Sequence, residues 1–286
     1  MRLAQDEGRS LIVAYYPPDL RTTGERFVAT TALLSKAGVP VPEILDWDPD
    51  AGIMLIEDLG CHSLYSIASD ADGWQRHWRS AVELIAPIEQ LEPEAVNAIN
   101  APLLEADFRR ELRQSWRLVL EPKALVGSGA LAVDFDQALR ELCRELHSTP
   151  RRPCHRDFMA RNLLLDSQQR LRVIDHQDLR QGPIWYDLGS LLNDSLYASS
   201  TEETELLAIA GVPDDERENY HRAAAQRALK IVGTFTAFAE RGADRHLTLI
   251  RPSLLAAQRH LALVPETAAA ICALTPSWDA KLAASW

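Results

Sequence analysis

Apolar residues fall along this chain in short runs near its start and in helical stripes beyond. Leu11-Ile12-Val13-Ala14-Tyr15-Tyr16 is a run of strand formers stopped by Pro17-Pro18, which cannot continue a ladder. Over residues 25–36 the spacing turns helical: Phe27, Val28, Thr31 and Leu34 follow three-and-four steps, and Gly38 with Pro40 ends the pattern. Two apolar runs, 44–47 and 53–56, flank Asp48-Pro49-Asp50-Ala51-Gly52 and predict a hairpin. Helices are then predicted over 73–91 (Trp74, Trp78, Val82, Ile85, Ile88), 103–120 (Leu104, Phe108, Leu112, Trp116, Val119) and 133–147 (Phe135, Leu139, Leu142, Leu146). A long one follows over 217–240 (Tyr220, Ala224, Leu229, Val232, Phe235). Shorter helices are expected after Gly182-Pro183, within 199–218, and over 252–264 and 265–274. These stripes read as core.

A small mixed lobe over 1–60 and a larger, mainly helical lobe over 61–286 is the organisation this implies, an α+β chain with its linker near 57–63. At 286 residues, 47% hydrophobic and 25% charged, the composition is that of an ordinary globular protein. A net charge of −11 argues against nonspecific nucleic-acid binding. Cys61, Cys143, Cys154 and Cys272 form no paired spacing, so reduced thiols are expected. No apolar run approaches the ~20 residues that span a bilayer, and no signal-peptide pattern opens the chain. A cytoplasmic protein with no membrane or nucleic-acid partner, and a monomer, is the expectation.

The chemistry concentrates in Cys154-His155-Arg156-Asp157-Phe158-Met159-Ala160-Arg161-Asn162-Leu163-Leu164-Leu165 and in Val173-Ile174-Asp175-His176-Gln177-Asp178. Asn162 opens one short strand and Asp175 closes the next, with the turn Asp166-Ser167-Gln168-Gln169 between them. Pairing these strands brings Asn162 and Asp175 to one end of the hairpin. Two oxygen ligands there suit Mg²⁺, which takes few protein oxygens beside substrate phosphates. Asp157, just upstream, is placed to accept a proton from an attacking hydroxyl. These are the parts of phosphoryl transfer, in the H-R-D-x-x-x-x-N spacing of protein kinases, with Asp-His-Gln standing for Asp-Phe-Gly.

On His155, Asp157, Asn162, Asp175 and Tyr186-Asp187-Leu188, the chain resembles the aminoglycoside phosphotransferase and choline kinase-like superfamily. Through His155–Leu163, Val173–Asp178, Gly182–Asp194 and Gln226–Phe235 it is most similar to the bacterial N-acetylmuramate/N-acetylglucosamine anomeric kinases. The resemblance implies a bilobal protein-kinase-like fold, ATP held in a cleft between the lobes, Mg²⁺, and a small amino-sugar substrate phosphorylated during peptidoglycan recycling. It implies Asp157 as catalytic base or hydroxyl-orienting group, Asn162 and Asp175 as metal ligands, and His155 as a support that orders the loop. Glu57, Asp58 and Leu59 match the hinge that reads adenine through backbone groups. Arg161 is a candidate for a phosphate or a substrate carboxylate, or else a solvated cation. Asp178 and Asp194 are candidates for sugar hydroxyls or surface carboxylates. Arg227 and Lys230, three apart on one helix face, suit an acidic sugar or plain solvent. Asp187 is expected to brace the catalytic loop.

The superfamily opens with a phosphate-covering hairpin and a strand that carries a Lys. Residues 11–16 hold no Lys, and ten residues before Leu11 are too few for that hairpin, so the small lobe is read as shortened. The expectation is that Met1 is a late start or the chain a truncated form, that Arg2-Leu3 is a remnant of the hairpin, and that Arg9 or Arg21 partly replaces the lost cations. The alternatives are a kinase of another small alcohol, such as an aminoglycoside or choline, and a nucleotide-binding pseudoenzyme without a phosphate loop. The intact Asp157, Asn162 and Asp175 count against the last.

Overall fold

The computed structural model describes residues 2–4, 10–67 and 74–283. It separates into two compact units, one of residues 1–102 and 152–181, the other of residues 103–151 and 182–286. The expected divide near residue 60 does not coincide with this one, and main-chain hydrogen bonds explain why. Val173 donates to the Pro40 carbonyl at 2.7 Å, Leu64 to Leu163 at 2.8 Å and Leu165 to His62 at 2.8 Å. The hairpin over residues 163–173 is therefore stitched to segments from the first third of the chain.

In the first unit, β1 (Arg2–Ala4), β2 (Ser10–Tyr15), β3 (Ile44–Asp48) and β4 (Ile53–Glu57) form an antiparallel sheet in the order β1-β2-β4-β3. Arg2 stands opposite Ile12, Leu3 opposite Leu11 and Ala4 opposite Ser10, so Arg2–Ala4 pairs with β2 as a short antiparallel ladder. Residues 5–9, including the candidate cation Arg9, lie outside the described residues. Arg21, the other candidate, instead donates to the Asp50 carbonyl at 2.9 Å over the β3–β4 turn. Gly52 in that turn has φ +67, and a Cβ there would lie 1.3 Å from the Arg21 guanidinium, so this corner accepts only glycine.

Helix α1 (Arg21–Lys36) begins four residues earlier than its stripe suggests, because the single 3₁₀ turn Pro18–Leu20 leads directly into it. The helix expected over 73–91 is two, α2 (Trp74–Glu83) and α3 (Ile85–Glu89); Gly73 and the Trp74 side chain lie outside the described residues. Pro87 cannot donate to the Glu83 carbonyl, and its ring crowds that position, so the helix divides at Leu84. Helix α4 (Pro93–Ile99) and the strands β5 (Arg151–Cys154), β6 (Leu163–Leu165) and β7 (Leu171–Val173) follow, with β6 and β7 paired antiparallel.

Glu89, at the end of α3, has its carboxyl pushed up to about 7 by burial, against the pull of Arg152. The native state therefore holds this proton longer than the unfolded chain. Its contribution to stability is complete below the unfolded value near 4.5 and is lost as pH rises through about 7. Glu89→Gln is expected to match wild type at the acid end and to exceed it by about 2 kcal/mol at the alkaline end, read by urea unfolding at both. Equal stability of the two proteins above neutral pH would refute this.

The second unit is helical: α5 (Glu105–Ser115), α6 (Ala130–Ser148), α7 (Tyr186–Asn193), α8 (Ser200–Ile209), α9 (Arg217–Ala239), α10 (Ile250–Leu261) and α11 (Pro265–Ala283), with short strands β8 (Arg180–Pro183), at the junction, and β9 (Leu196–Tyr197). Helix α9 runs through its middle, and Tyr220, Ala224, Ala228, Leu229, Val232 and Phe235 are all buried. Gly189 lets α7 approach it, since a Cβ there would lie 2.9 Å from the Ala224 nitrogen. Gly233 does the same for α5, whose Ser115 hydroxyl donates to the Leu229 carbonyl at 2.6 Å. The stripe expected to end at Leu120 finishes in a π turn, Trp116–Leu120. The last helix continues past Pro276, where the sequence predicts its end. Trp278 beyond it is wholly buried, donating to the Leu125 carbonyl at 2.7 Å, and this packing outweighs the lost main-chain bond. All four cysteines are free thiols, and no described helix is long and apolar enough to cross a membrane.

Candidate active site

Strand β5 delivers His155 into the interior, where its Nε2 donates to the Ile174 carbonyl at 2.9 Å and its ring meets Phe158 edge-on. Imidazole thus ties the loop to the residue just before Asp175. The loop is drawn tight around the main-chain oxygen of Asp157, which accepts from the Met159 N–H and from Asn162 Nδ2, each at 2.9 Å. Asn162 is held from the other side as well, its carbonyl accepting from the Ile174 N–H at 3.0 Å. The hairpin register, with Leu163 opposite Val173, then brings the Asn162 amide within 3.4 Å of the Asp175 carboxylate.

Asp175 itself is exposed and has φ +63, the left-handed region that Asp tolerates better than most residues. Its Oδ1 accepts from Gln177 Nε2 at 2.8 Å. One carboxylate and one amide oxygen, both hard donors at a solvent-facing strand end, fit Mg²⁺, whose remaining positions go to water and phosphate. Among the described residues no group of three His, Cys, Asp or Glu side chains could hold a metal ion, so a cation here depends on phosphate and water as well as on these two residues.

Two neighbours were not singled out by motif spacing. Tyr16, just after β2, has its hydroxyl held above the ordinary phenol range by burial and then by the charge of Asp175. His176 is fully buried, stacked on Phe27 of α1 at 4.5 Å, with Nδ1 2.8 Å from the Thr30 hydroxyl. Burial pushes its imidazole down to about 3, with His155 adding to the drop. Its place in Asp-His-Gln was visible in the chain; its partners on α1 were not.

The remaining expected residues divide between the two units. Glu57 spends its carboxylate on Arg172 at 2.6 Å and its N–H on the Glu43 carbonyl at 2.9 Å. Asp58 accepts from the Ser10 hydroxyl at 2.5 Å, and Leu59 is buried. Arg161 lies against the Met159 sulfur at 3.4 Å. Asp178 is claimed by two guanidinium groups, Arg156 at 2.8 Å and Arg180 at 3.4 Å, so it is an ion-pair partner rather than a free hydroxyl acceptor. In the second unit Asp187 sits buried in the first turn of α7. Asp194 and Arg227, expected at the substrate, are 1% and 0% exposed at the side chain and pair with each other at 3.1 Å. A charge pair closed off from solvent offers little to a ligand, which corrects both assignments. Lys230, one turn along α9, is buried as well.

Comparison with known proteins gives this arrangement its context. Residues 1–225 match the phosphotransferase enzyme family. An N-acetylmuramate/N-acetylglucosamine kinase of Pseudomonas putida strain KT2440 is 30% identical over 264 residues, 85% of this chain and 74% of the relative. The protein of the same name from Pseudomonas aeruginosa strain PAO1 is 29% identical over 259 residues, 85% of this chain and 75% of the relative. Among solved structures, the GDP complex of aminoglycoside 2′-phosphotransferase-IIIa aligns with a TM-score of 0.61 at 13% identity, covering 91% of each chain. That likeness shows the α+β, kinase-like fold. The chain belongs to the phosphotransferase enzyme family.

Proposed function

We propose that this phosphotransferase uses ATP to phosphorylate the anomeric hydroxyl of N-acetylmuramate or N-acetylglucosamine, as a cytoplasmic enzyme of cell-wall recycling. The observation that carries the reading is the convergence of Asp157, Asn162 and Asp175 on one end of the β6–β7 hairpin. The two Pseudomonas relatives, whose names state an amino-sugar kinase, support the acceptor.

In this reading Asp157 accepts the hydrogen bond of the anomeric hydroxyl and aims its lone pair at the γ-phosphorus. A bond from sugar oxygen to phosphorus forms, the bond from phosphorus to the β–γ bridging oxygen breaks, the proton passes to Asp157, and ADP departs. An anomeric hydroxyl is more acidic than an ordinary alcohol, so less is asked of the carboxylate that takes its proton. Asn162 and Asp175 would hold Mg²⁺, which when bound neutralises charge on the phosphate oxygens. His155 keeps the strand before Asp175 fixed while Asn162 keeps the Asp157 loop closed, so positioning, rather than covalent chemistry, is the protein's contribution.

Phosphorus NMR of the protein with ATP, Mg²⁺ and N-acetylmuramate, then N-acetylglucosamine, tests the proposal. A sugar 1-phosphate resonance growing with ADP is expected. ADP without a sugar phosphate would remove the acceptor assignment, as would phosphorylation of choline or kanamycin in parallel samples while both sugars stay unmodified.

A further inference from the structure

We propose that His176 is a positioning residue: its imidazole N–H, bonded to Thr30 on α1, fixes the backbone of Asp175 and thereby sets how readily that carboxylate takes up its cation. The inference rests on the reading of Asp175 as a cation ligand and goes beyond it, to a side chain that touches neither substrate nor phosphate.

The geometry allows the protons to be placed. Thr30 Oγ1 lies 2.8 Å from the Arg26 carbonyl and 2.8 Å from His176 Nδ1. A carbonyl only accepts, so both contacts are hydrogen bonds together only when the single Thr30 hydroxyl proton goes to Arg26 and the Thr30 oxygen receives a proton from Nδ1. Thr31 likewise donates to the Phe27 carbonyl at 2.7 Å, leaving its oxygen 3.4 Å from Nε2. One proton on Nδ1 satisfies every short contact. The ring is stacked on Phe27 with planes 22° apart, so three consecutive-turn residues of α1 grip one imidazole.

The consequence falls on the preceding residue. Asp175 holds φ +63, a conformation unfavourable to an L-residue that persists only when its surroundings impose it. His155 imposes it from one side, through the Ile174 carbonyl, and His176 from the other, through α1. A phenylalanine at 176 would keep the stack and lose the bond. Thr30 would still have Arg26 for its own proton, so the helix would not suffer.

This separates positioning from stability. His176→Phe is expected to melt near wild type, yet to need about tenfold more Mg²⁺ for half-maximal ADP binding by calorimetry, the loss of one ordinary hydrogen bond expressed on the ligand. Metal-free protein supplies two further readouts. Nitrogen NMR should show His176 protonated at Nδ1, and hydrogen exchange over residues 173–177 should quicken in His176→Phe and Thr30→Val but not in Thr30→Ser, which keeps the hydroxyl. Wild-type Mg²⁺ dependence and wild-type exchange in both His176→Phe and Thr30→Val would overturn the proposal while leaving the kinase reading intact. Absence of any Mg²⁺-dependent ADP binding in the wild type would overturn both.

Discussion

Asp157→Asn is expected to lower kcat for sugar phosphorylation by about a thousandfold or more, with the melting temperature close to wild type. The substitution keeps the size and planarity of the side chain and removes only its charge and its ability to take a proton. The hydrogen bonds that close the loop run to the main-chain oxygen of residue 157, from Met159 and from Asn162 Nδ2, and asparagine leaves that oxygen in place. A folded, nucleotide-binding, inactive protein is therefore the predicted state. The measurement is kcat and KM for ATP and sugar beside a thermal melt. Turnover within tenfold of wild type would mean that Asp157 does not handle the attacking hydroxyl, and the mechanism would have to be abandoned. If activity and fold were lost together, Asp157 would instead be structural.

How far the sequence discloses this site depends on the distance over which each residue works. Asp157, Asn162 and Asp175 are legible because a five-residue step and one short hairpin bring them together, and local spacing predicts local geometry. The helical stripes are legible for the same reason, down to the limits of α9. The breaks are harder. Pro87 divides a helix while Pro276 does not, and the difference lies in Trp278, whose burial against Leu125 no local pattern announces. Strand β1 is three residues long, too short for the sequence to show alternation. His176 and Thr30 stand 146 positions apart, and nothing in either segment names the other. Arg227 misled for a further reason. An arginine on a helix is ordinarily read as solvated, and its actual partner, Asp194, lies on a different element and is equally hidden.

That hidden pair carries the second large effect. Arg227→Met and Asp194→Asn are each expected to destabilise the protein by about 3–5 kcal/mol, because each takes an ion-pair partner from a charge held in an interior that cannot hydrate it. The guanidinium and carboxylate are 0% and 1% exposed and 3.1 Å apart, and Asp194 also accepts from the Ser195 hydroxyl at 2.8 Å. The combined variant, Arg227→Met with Asp194→Leu, removes both charges and is expected to regain much of that loss, since apolar replacements of a buried pair often cost little. Urea unfolding of the three proteins at neutral pH measures it. The same set separates the two roles that a cation on α9 could have. A substrate contact would raise KM for N-acetylmuramate more than for N-acetylglucosamine, which lacks the carboxylate, and would leave stability alone. A structural pair lowers stability and treats both sugars alike. Single variants losing less than about 1 kcal/mol while selectively weakening the acidic sugar would return Arg227 to the binding site.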